Sequence, residues 1–349
     1  MAWRRVEGGL DLPCPSVILS ETWWVTRWLA RALGSFGRLL GEHAQTLRAI
    51  HACRPDVVHA HFGNVAIRVD RECRLLGIPL VASFYGHDAS SAWNDPELRR
   101  GYARLFASVT TITAEGPVLA RRLKAIGARP ETVRLLPLSL PSWALSEPVA
   151  PADPTDPTLR LLQVARFTEK KGIETTLRAI AQAHNSGASV RLVLAGAGPL
   201  RPQIERLITD LQLSAVVECL GFIYHSSLPD HFRRAHALVQ PSITATNGDT
   251  EGGAPTVLIE AQAQGLPVLA TTHADIPTVV RHGHNALLCA EGDHASLAAN
   301  IVALASDRSL LARLAAAARP FVLRRHCPAK LLALRERIYR NAIRRSRRE

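Results

Sequence analysis

The sequence lacks several features that would place a protein in a membrane, outside the cell or around a metal ion. No run of 18 or more apolar residues occurs among its 349 residues, which argues against a spanning helix. The apolar stretch after Arg4 and Arg5 is broken by acids and prolines, so a secretory signal is not expected. The six cysteines are scattered, without C-x-x-C or zinc-ligand spacing. We therefore expect core cysteines in a reducing, cytoplasmic compartment and no metal site.

The composition predicts a folded, basic protein. Apolar residues make up 47% and charged residues 21%, which excludes a disordered or collagen-like chain. The net charge is +12, and Arg335–Glu349 carries seven arginines against two glutamates. A basic surface attracts phosphorylated small molecules, nucleic acid or the anionic face of the inner membrane, although a solvated tail is the alternative interpretation. Aromatic residues do not interleave with the arginines, so a nucleic-acid partner is not expected.

Strands alternating with helices predict two α/β units, each with a doubly wound parallel sheet. Residues 1–50 are hard to assign, with one candidate strand at Ser16–Ser20. Strands of the first unit are predicted at Asp56–His61, Pro79–Tyr85 and Ser108–Thr113. Strands of the second unit are predicted at Arg160–Val164, Val190–Ala195, Val216–Leu220, Ala237–Gln240 and Pro267–Ala270.

A proline-rich segment separates the two units. Six prolines between Pro137 and Pro157 prevent regular structure and give a semi-rigid connection. The predicted domains are therefore residues 1–140, a linker 141–157, a second domain 158–325 and a basic C-terminal helix or tail 326–349. Ligands of open α/β sheets bind at the carboxyl ends of the strands, so we expect a cleft between the two domains.

Two segments of the second unit have the chemistry of an anion site. Arg166 and Lys171 follow its first strand and precede a helix, which is a plausible clamp for a pyrophosphate, unless they belong to a solvated loop. Gly196 and Gly198 follow the second strand, but no third glycine follows at the dinucleotide-binding spacing. These glycines allow a close backbone approach to a phosphate or base, or simply a tight turn.

The segment 241–261 is the richest in polar groups. A loop that contains Ser242, Glu251, Gly252 and Gly253 leads into an apolar helix, and Glu260 interrupts that helix. A carboxylate among apolar residues needs a bonding partner, and sugar hydroxyls suit Glu260, although it could be a surface glutamate.

In the first unit, His87 and Asp88 follow a strand at the expected cleft. They could move a proton or orient a sugar hydroxyl. A capping aspartate beside a surface histidine is the alternative. His59 and His61 lie on one face of a strand and, with no third ligand in view, are expected to be packing residues or polar lining rather than a metal site.

The segments R-F-T-E-K-K-G, L-A-G-A-G-P and D-T-E-G-G-A-P-T-V-L-I-E-A resemble glycosyltransferase family 4, the retaining nucleotide-sugar glycosyltransferases. The likeness covers about residues 55–325 and is strongest to bacterial enzymes of exopolysaccharide and colanic acid biosynthesis. It implies the GT-B fold, in which two Rossmann-like domains face a central cleft. The first domain would be the acceptor side, and the second would bind the nucleotide-sugar donor.

The resemblance also implies roles for individual residues. Arg166 and Lys171 would bind the donor diphosphate and stabilise the leaving group without a metal ion. Glu260 would hold the ribose, and Glu251 would lie near the sugar with the Gly252 and Gly253 amides. Gly196, Gly198 and Ser242 would line the donor site, and His87 and Asp88 would serve the acceptor side.

The sequence departs from the family pattern at three places. Eight residues separate Glu251 from Glu260, where the family usually has seven, so either Glu251 or Gly252 could face the sugar. Tyr85 stands where many relatives have a histidine. Residues 1–50 show no clear equivalent of the strand and glycine-rich loop with which relatives begin, so we expect a first domain shortened at its start.

The sequence therefore predicts a metal-independent hexosyltransferase that moves a sugar, with retention, from a nucleoside-diphosphate-sugar to a saccharide or lipid-linked acceptor. Its setting would be cell-surface polysaccharide synthesis in the cytoplasm, with peripheral contact to the anionic inner membrane. A non-catalytic nucleotide-sugar-binding protein and a nucleotide-sugar 2-epimerase are the alternatives.

Overall fold

The computed structural model describes residues 43–145 and 156–347, so the candidate strand Ser16–Ser20 and most of the proline-rich segment lie outside the described residues. In the first range, strands and helices alternate, and the strands pair in parallel in the order β1-β2-β3-β4. The elements are α1 (residues 43–53), β1 (Val58–His61), α2 (Gly63–Leu75), β2 (Leu80–Phe84), α3 (Pro96–Ser108), β3 (Thr111–Ala114), α4 (Pro117–Ala125) and β4 (Val133–Leu135).

Local signals explain these elements. Asp95 precedes α3 and accepts hydrogen bonds from the N–H groups of Glu97 (2.8 Å) and Leu98 (3.3 Å), while Pro96 occupies the first helical position. All five residues of β2 are buried, as expected for a central parallel strand. At its end, Phe84 packs against two aromatic rings of α3, and this cluster forms the core of the first domain.

The second range forms a six-stranded parallel sheet in the order β10-β9-β8-β5-β6-β7, followed by two long helices. Its elements are β5 (Leu159–Val164), α5 (Ile173–Asn185), β6 (Val190–Ala195), α6 (Arg201–Asp210), β7 (Val217–Gly221), α7 (Leu228–Arg233), β8 (Ala237–Gln240), α8 (Thr256–Ala263), β9 (Val268–Thr271), α9 (Ile276–Val279), β10 (Ala286–Cys289), α10 (His294–Ser306), α11 (Arg308–His326) and α12 (Pro328–Ser346).

The second sheet is doubly wound around β5. One apolar cluster packs α5, α6 and α10 against one face, and another packs α7, α8 and α9 against the opposite face. The chain moves from β5 to β6 in one direction and returns to β8 on the other side. The loops after β5 and β8 therefore leave the sheet side by side, at the position where such folds bind ligands. Arg166 and Lys171 lie on the first loop, and Ser242 and Glu251 on the second.

Helix α12 returns to the first domain and covers one face of its sheet, whereas α2, α3 and α4 cover the other. Ile338 and Ala342 pack on Val81 of β2 and on Leu136. The Tyr339 hydroxyl lies 2.7 Å from Nδ1 of His59 on β1. The predicted basic C-terminal helix is thus present as far as the structure describes it, and it joins the two domains.

The carboxyl ends of the two sheets face each other across a narrow cleft. A Cβ added to Gly86, which follows β2, would overlap the carbonyl of Glu251, and one added to Gly252 would overlap Gly86. Likewise, a Cβ at Gly116, which follows β3, would overlap the carboxylate of Asp275. The domains approach this closely only because glycines stand at these positions.

Two short strands, β4 and β10, are absent from the sequence prediction. Among the described residues, no helix combines the length and apolarity needed to cross a membrane. The five cysteines that the structure describes carry free thiols.

Candidate active site

The loops after β5 and β8 touch through a glycine. Gly172 has a φ of +63°, and a Cβ there would overlap the carbonyl oxygen of Pro241. No L side chain fits this combination of backbone angle and contact without strain. Gly172 also precedes the first turn of α5, whose free amide groups therefore open at the junction of the two loops.

An ion pair at this junction joins two of the predicted site residues. Nζ of Lys171 lies 2.8 Å from both carboxylate oxygens of Glu251, and the Ser242 hydroxyl donates to Oε1 at 2.7 Å. The side chains of Lys171 and Glu251 are only 17% and 7% exposed. Two charges so far removed from water are stable together because each compensates the other. An anionic ligand in the cleft would compete with Glu251 for the same ammonium group.

A chain of hydrogen bonds fixes the backbone of Glu251. Its N–H donates to Nε2 of His273 at 3.1 Å, so the neutral ring carries its proton on Nδ1, which lies 2.7 Å from Oε1 of Glu291. The second oxygen of Glu291 accepts from the N–H of Thr244 at 2.6 Å. Although burial opposes it, this hydrogen bonding holds the pKa of Glu291 below its usual value. The sequence analysis assigned no role to His273 or Glu291.

Lys170, which the sequence analysis passed over, is more deeply buried than Lys171. It is 8% exposed, and its Nζ lies 3.2 and 3.1 Å from the two oxygens of Asp249 and 3.0 Å from the carbonyl of Thr250. The Ser90 hydroxyl of the first domain also donates to Asp249, at 3.2 Å. Burial tends to raise the pKa of Asp249, but the bonds from Lys170 outweigh it and lower that pKa. Lys170 therefore holds the loop after β8 in place and links it to the opposite domain.

Arg166 is exposed on the loop after β5, and its side chain makes no hydrogen bond or ion pair within the described residues. The predicted glycines hold this loop. A Cβ at Gly196 would overlap the carbonyl of Ala165, and one at Gly198 would lie 2.5 Å from that of Phe167. The close approach that these glycines allow is thus to the protein's own backbone, and an approach to a phosphate stays a prediction.

Glu260 lies on α8 and is buried, with 6% exposure. Its Oε1 is 2.9 Å from Nε2 of His225, a half-exposed side chain that is not among the predicted site residues. The ring of Trp143 packs edge-on against His225 at 5.4 Å between centroids. The buried carboxylate is therefore partnered from the solvent side, where a ligand hydroxyl could replace the histidine.

Asp88 and His87 differ in their surroundings. The buried carboxylate of Asp88 accepts hydrogen bonds from the N–H groups of Tyr85 (3.2 Å) and Gly63, the first residue of α2. Burial nevertheless raises the pKa of Asp88. His87 is exposed, bonded through Nδ1 to the Ser91 hydroxyl at 2.8 Å and 4.0 Å from Asp249 across the cleft. This geometry matches the alternative interpretation of a capping aspartate beside a surface histidine, and a role toward an acceptor stays a prediction.

Two further acids at the cleft were missed. Glu115 follows β3 and lies against Gly253, and burial together with the charges of Asp275 and Glu251 raises its pKa to about 8. Asp275 follows β9 and accepts hydrogen bonds from the N–H groups of Val118 and Leu119 in the first turn of α4. Glu115 comes two residues after the predicted strand Ser108–Thr113, just as His87 comes two residues after Pro79–Tyr85, and could have been found in the same way.

The site thus presents cations and amide groups to a cleft rather than a metal-ligand set. Within residues 43–145 and 156–347, no three His, Cys, Asp or Glu side chains are arranged to hold a metal ion. The ammonium of Lys171, the guanidinium of Arg166 and the amide groups at the start of α5 are each suited to donate to a phosphate group, and their joint use by one phosphate stays a prediction. Nearby carboxylates can accept hydrogen bonds from hydroxyl groups.

Two parallel α/β domains that meet at a polar cleft define the architecture of the protein, and comparison with known proteins identifies its family. The family model described as Glycosyltransferase Family 4 matches residues 16–139, and the one described as Glycosyl transferases group 1 matches residues 151–321.

Three relatives are named for polysaccharide biosynthesis. WcaL of Salmonella typhimurium, named as a colanic acid biosynthesis glycosyltransferase, is 32% identical over 250 residues, which are 70% of this chain and 60% of the relative. AmsK of Erwinia amylovora, named as an amylovoran biosynthesis glycosyltransferase, is 30% identical over 266 residues, which are 76% of this chain and 65% of the relative. WcaL of Escherichia coli K12 is 30% identical over 314 residues, which are 80% of this chain and 76% of the relative. The chain spans less than two thirds of the length of the first two relatives.

Solved structures show the same fold. HepE of Anabaena, crystallised with UDP and glucose, superposes with a TM-score of 0.74 at 20% identity over 87% of this chain and 83% of that chain. The sucrose-phosphate synthase of Thermosynechococcus elongatus gives a TM-score of 0.72 at 19% identity, over 87% of this chain and 78% of that chain. The predicted GT-B fold is confirmed. The chain belongs to the group 1 glycosyltransferases of family 4.

Proposed function

We propose that this protein is a retaining hexosyltransferase that moves a sugar from a nucleoside-diphosphate-sugar to a saccharide or lipid-linked acceptor during cell-surface polysaccharide synthesis. The observation that carries the proposal is the junction at the switch point of the second sheet. There, Lys171, Glu251 and Ser242 are bonded together, and the exposed Arg166 lies on the same loop as Lys171. The names of WcaL and AmsK, and the UDP and glucose bound to HepE, support this assignment.

In the proposed reaction, the donor diphosphate takes the place of Glu251 on Lys171. Arg166 turns its free guanidinium onto the same phosphates, and the amides at the start of α5 add neutral donors. Negative charge develops on the diphosphate as its bond to the sugar breaks, and fixed cations stabilise that charge more in the transition state than in the ground state. These groups supply the stabilisation that a magnesium ion gives elsewhere, so no metal is required in the proposal.

The carboxylates recognise hydroxyl groups. Glu260, released from His225, accepts hydrogen bonds from the ribose, and Glu251, released from Lys171, accepts them from the donor sugar. Gly252 and Gly253 present backbone N–H groups to that sugar, and Gly196, Gly198 and Ser242 complete the donor side. His87 and Asp88 belong to the acceptor side. In the proposed transfer, the acceptor hydroxyl bonds to the anomeric carbon on the face from which the diphosphate leaves, and its proton passes to the departing diphosphate. Configuration is then retained without a protein nucleophile of the paired-carboxylate type.

The proposed location is the cytoplasm, with peripheral contact at the inner face of the membrane. Free thiols on the described cysteines support a reducing compartment, and the arginines of α12 support contact with an anionic surface.

Binding of UDP, GDP and ADP, measured by calorimetry, tests the clamp. Arg166→Gln is the cleanest variant, because the Arg166 side chain makes no bond within the described residues that its loss could disrupt. We expect its affinity for the preferred nucleotide to fall at least about tenfold, the effect of losing a charge-assisted hydrogen bond. The double variant Arg166→Gln/Lys171→Gln should lose more. A matched control, Arg191→Gln/Arg206→Gln, removes two exposed cations of the same domain and should bind normally.

Unchanged nucleotide affinity in Arg166→Gln/Lys171→Gln would refute the clamp. Transfer is tested separately, by the release of nucleoside diphosphate and by the anomeric configuration of the product in NMR spectra, with and without EDTA. Donor binding without transfer or hydrolysis would indicate a binding protein, and an epimerised sugar nucleotide would indicate an epimerase.

A further inference from the structure

A cavity lies between α12 and the edge of the first domain's sheet, apart from the candidate active site. Its volume is about 280 Å³, at the lower end of the range of small-molecule pockets. It is lined by Thr111, Arg134, Leu135, Leu334, Arg337, Ile338, Asn341 and Arg345. None of these residues belongs to the loops that form the site described above.

The spacing of the lining residues on α12 shows that one helical stripe faces the cavity. Leu334, Arg337, Ile338, Asn341 and Arg345 recur at intervals of three, one, three and four residues, which places them on one side of an α-helix. Ile338 on this stripe is buried against the sheet, so the stripe is held in position by the core. The polar members of the stripe therefore point to a fixed place.

Three guanidinium groups surround the cavity without a carboxylate among its lining residues. Arg134 uses Nη1 on the carbonyl of Val133 at 2.8 Å, and Arg345 uses Nη1 on the carbonyl of Glu131 at 3.1 Å. Arg337 makes no side-chain hydrogen bond within the part of the chain that the structure describes. Most of the N–H donors of these three side chains are thus available, and three positive charges stay uncompensated by the cavity itself.

Apart from Thr111 and Asn341, the remaining residues that line the cavity are apolar. Leu135 and Leu334 meet Ile338 there, and Leu135 is also exposed to solvent at the edge strand β4. Arginines bind phosphate groups well, and an apolar surface binds hydrocarbon. The two together suit a molecule that has a phosphate headgroup next to a hydrocarbon portion. No aromatic ring lines the cavity, so the base stacking that a nucleic acid would use is missing from it.

We propose that this cavity binds the phosphate headgroup of an anionic phospholipid and seats the first domain on a membrane surface. Arg134, Arg337 and Arg345 hold the phosphate, and Leu135 contacts the adjoining part of the lipid. The surface is formed by α12 and β4 together, so it exists only where the C-terminal helix has returned to the first domain. The proposal rests on the membrane contact proposed above and names its lipid ligand and residues, whereas it does not depend on the transferase activity.

Two probes and a matched pair of double variants test this site. Dihexanoyl phosphatidylglycerol, used as a monomer, tests the pocket, and vesicles of phosphatidylcholine with or without 30% phosphatidylglycerol test the surface. Arg134→Gln/Arg337→Gln removes two cavity charges. Arg344→Gln/Arg347→Gln removes two exposed charges of α12 outside the cavity. The cavity variant should bind the short-chain lipid at least tenfold more weakly, and the control should stay within twofold of the unmodified protein.

The vesicle arm separates the pocket from general charge attraction. Each lost cation near an anionic bilayer weakens binding about fivefold, so the loss of two weakens it about 30-fold in either variant. The affinity of the cavity variant for vesicles that contain phosphatidylglycerol should fall at least a further tenfold. Leu135→Ser should weaken the binding of the short-chain lipid and leave the binding of inorganic phosphate unchanged. Nucleotide affinity and melting temperature should match the unmodified protein in all variants, which separates this test from that of the transferase.

Three results would overturn the proposal. Equal losses in the two double variants would reduce the site to diffuse charge. Inorganic phosphate that binds as tightly as the short-chain lipid would make it a free-phosphate site. A short oligonucleotide that binds more tightly than the lipid, and loses affinity in the cavity variant, would assign it to nucleic acid.

Discussion

Asp275 of the second domain caps a helix of the first. Its Oδ1 accepts from the N–H of Val118 at 2.8 Å and its Oδ2 from that of Leu119 at 3.1 Å, whereas Gly116, directly before α4, has no side chain to do so. The first turn of α4 therefore has its amide groups satisfied only while the two domains are together.

Replacing Asp275 should loosen the contact between the domains. Asp275→Ala should lower the free energy of unfolding by about 1 kcal/mol, as for other lost caps, measured by urea denaturation. Asp293→Ala is the matched control, because Asp293 caps α10 within a single domain through Ser296. Both variants should lose similar stability, but only Asp275→Ala should broaden the distance distribution in small-angle X-ray scattering. Identical scattering from the two variants would contradict an inter-domain cap.

The raised pKa of Glu115 predicts a pH dependence of stability. Because the folded-state pKa is about 8 and the ordinary value is 4.5, the folded protein holds its proton more tightly than the unfolded chain. The stabilisation is complete below pH 4.5 and is lost as the pH rises toward 8. Glu115→Gln removes this loss, so its urea midpoint should rise relative to the unmodified protein between about pH 5 and pH 8. The exposed Glu131→Gln should not show this trend, and parallel pH profiles for Glu115→Gln and the unmodified protein would reject the assignment.

Gly86 offers a test of domain closure without local strain. Its φ of −55° suits any residue, so Gly86→Ala changes mainly the contact with Glu251 and Gly252 of the other domain. We expect the transfer rate to fall about a hundredfold, since small misplacements of reacting groups have effects of this size. Nucleotide affinity should change less than threefold. Gly86→Val should be more severe, and a transfer rate in both variants equal to that of the unmodified protein would show that closure to this distance is not needed.

Lys170 and Asp249 should behave as a coupled pair. Lys170→Met leaves a partly buried carboxylate uncompensated and should lower the free energy of unfolding by about 3 kcal/mol. Adding Asp249→Asn should recover part of that loss. The exposed Lys124→Met serves as a control and should be near neutral. Additive effects in the double-mutant cycle would mean that the two charges do not interact.

Much of the fold could be predicted because buried parallel strands are apolar and helices follow them at regular intervals. The predicted strands Val190–Ala195 and Ala237–Gln240 coincide with β6 and β8. The strands β4 and β10 were missed, since Val133–Leu135 has three residues and Ala286–Cys289 contains no β-branched residue. Short edge strands are specified by the neighbour they pair with more than by their own residues.

The same distinction applies to the site. The sequence brought Lys171, Ser242 and Glu251 into one hypothesis, because both loops follow strands that meet at the switch point. It could not show that Lys170 is the lysine that fixes the loop after β8. Lys170 and Lys171 are adjacent and identical in type, and only the direction of each side chain in the folded protein decides which partner it meets. The contact between Glu115 and Gly253 depends on the relative placement of two domains, which no local pattern records.

The return of the last helix has a consequence for how the protein can be divided. A cut at residue 326 would remove only α12 and leave both sheets in one fragment, yet it would uncover Val81 and Leu136, which Ile338 and Ala342 shield. The fragment without α12 would then expose an apolar face of the first sheet to water and tend to aggregate. Helix α12 must accordingly be synthesised before the first sheet can be fully covered.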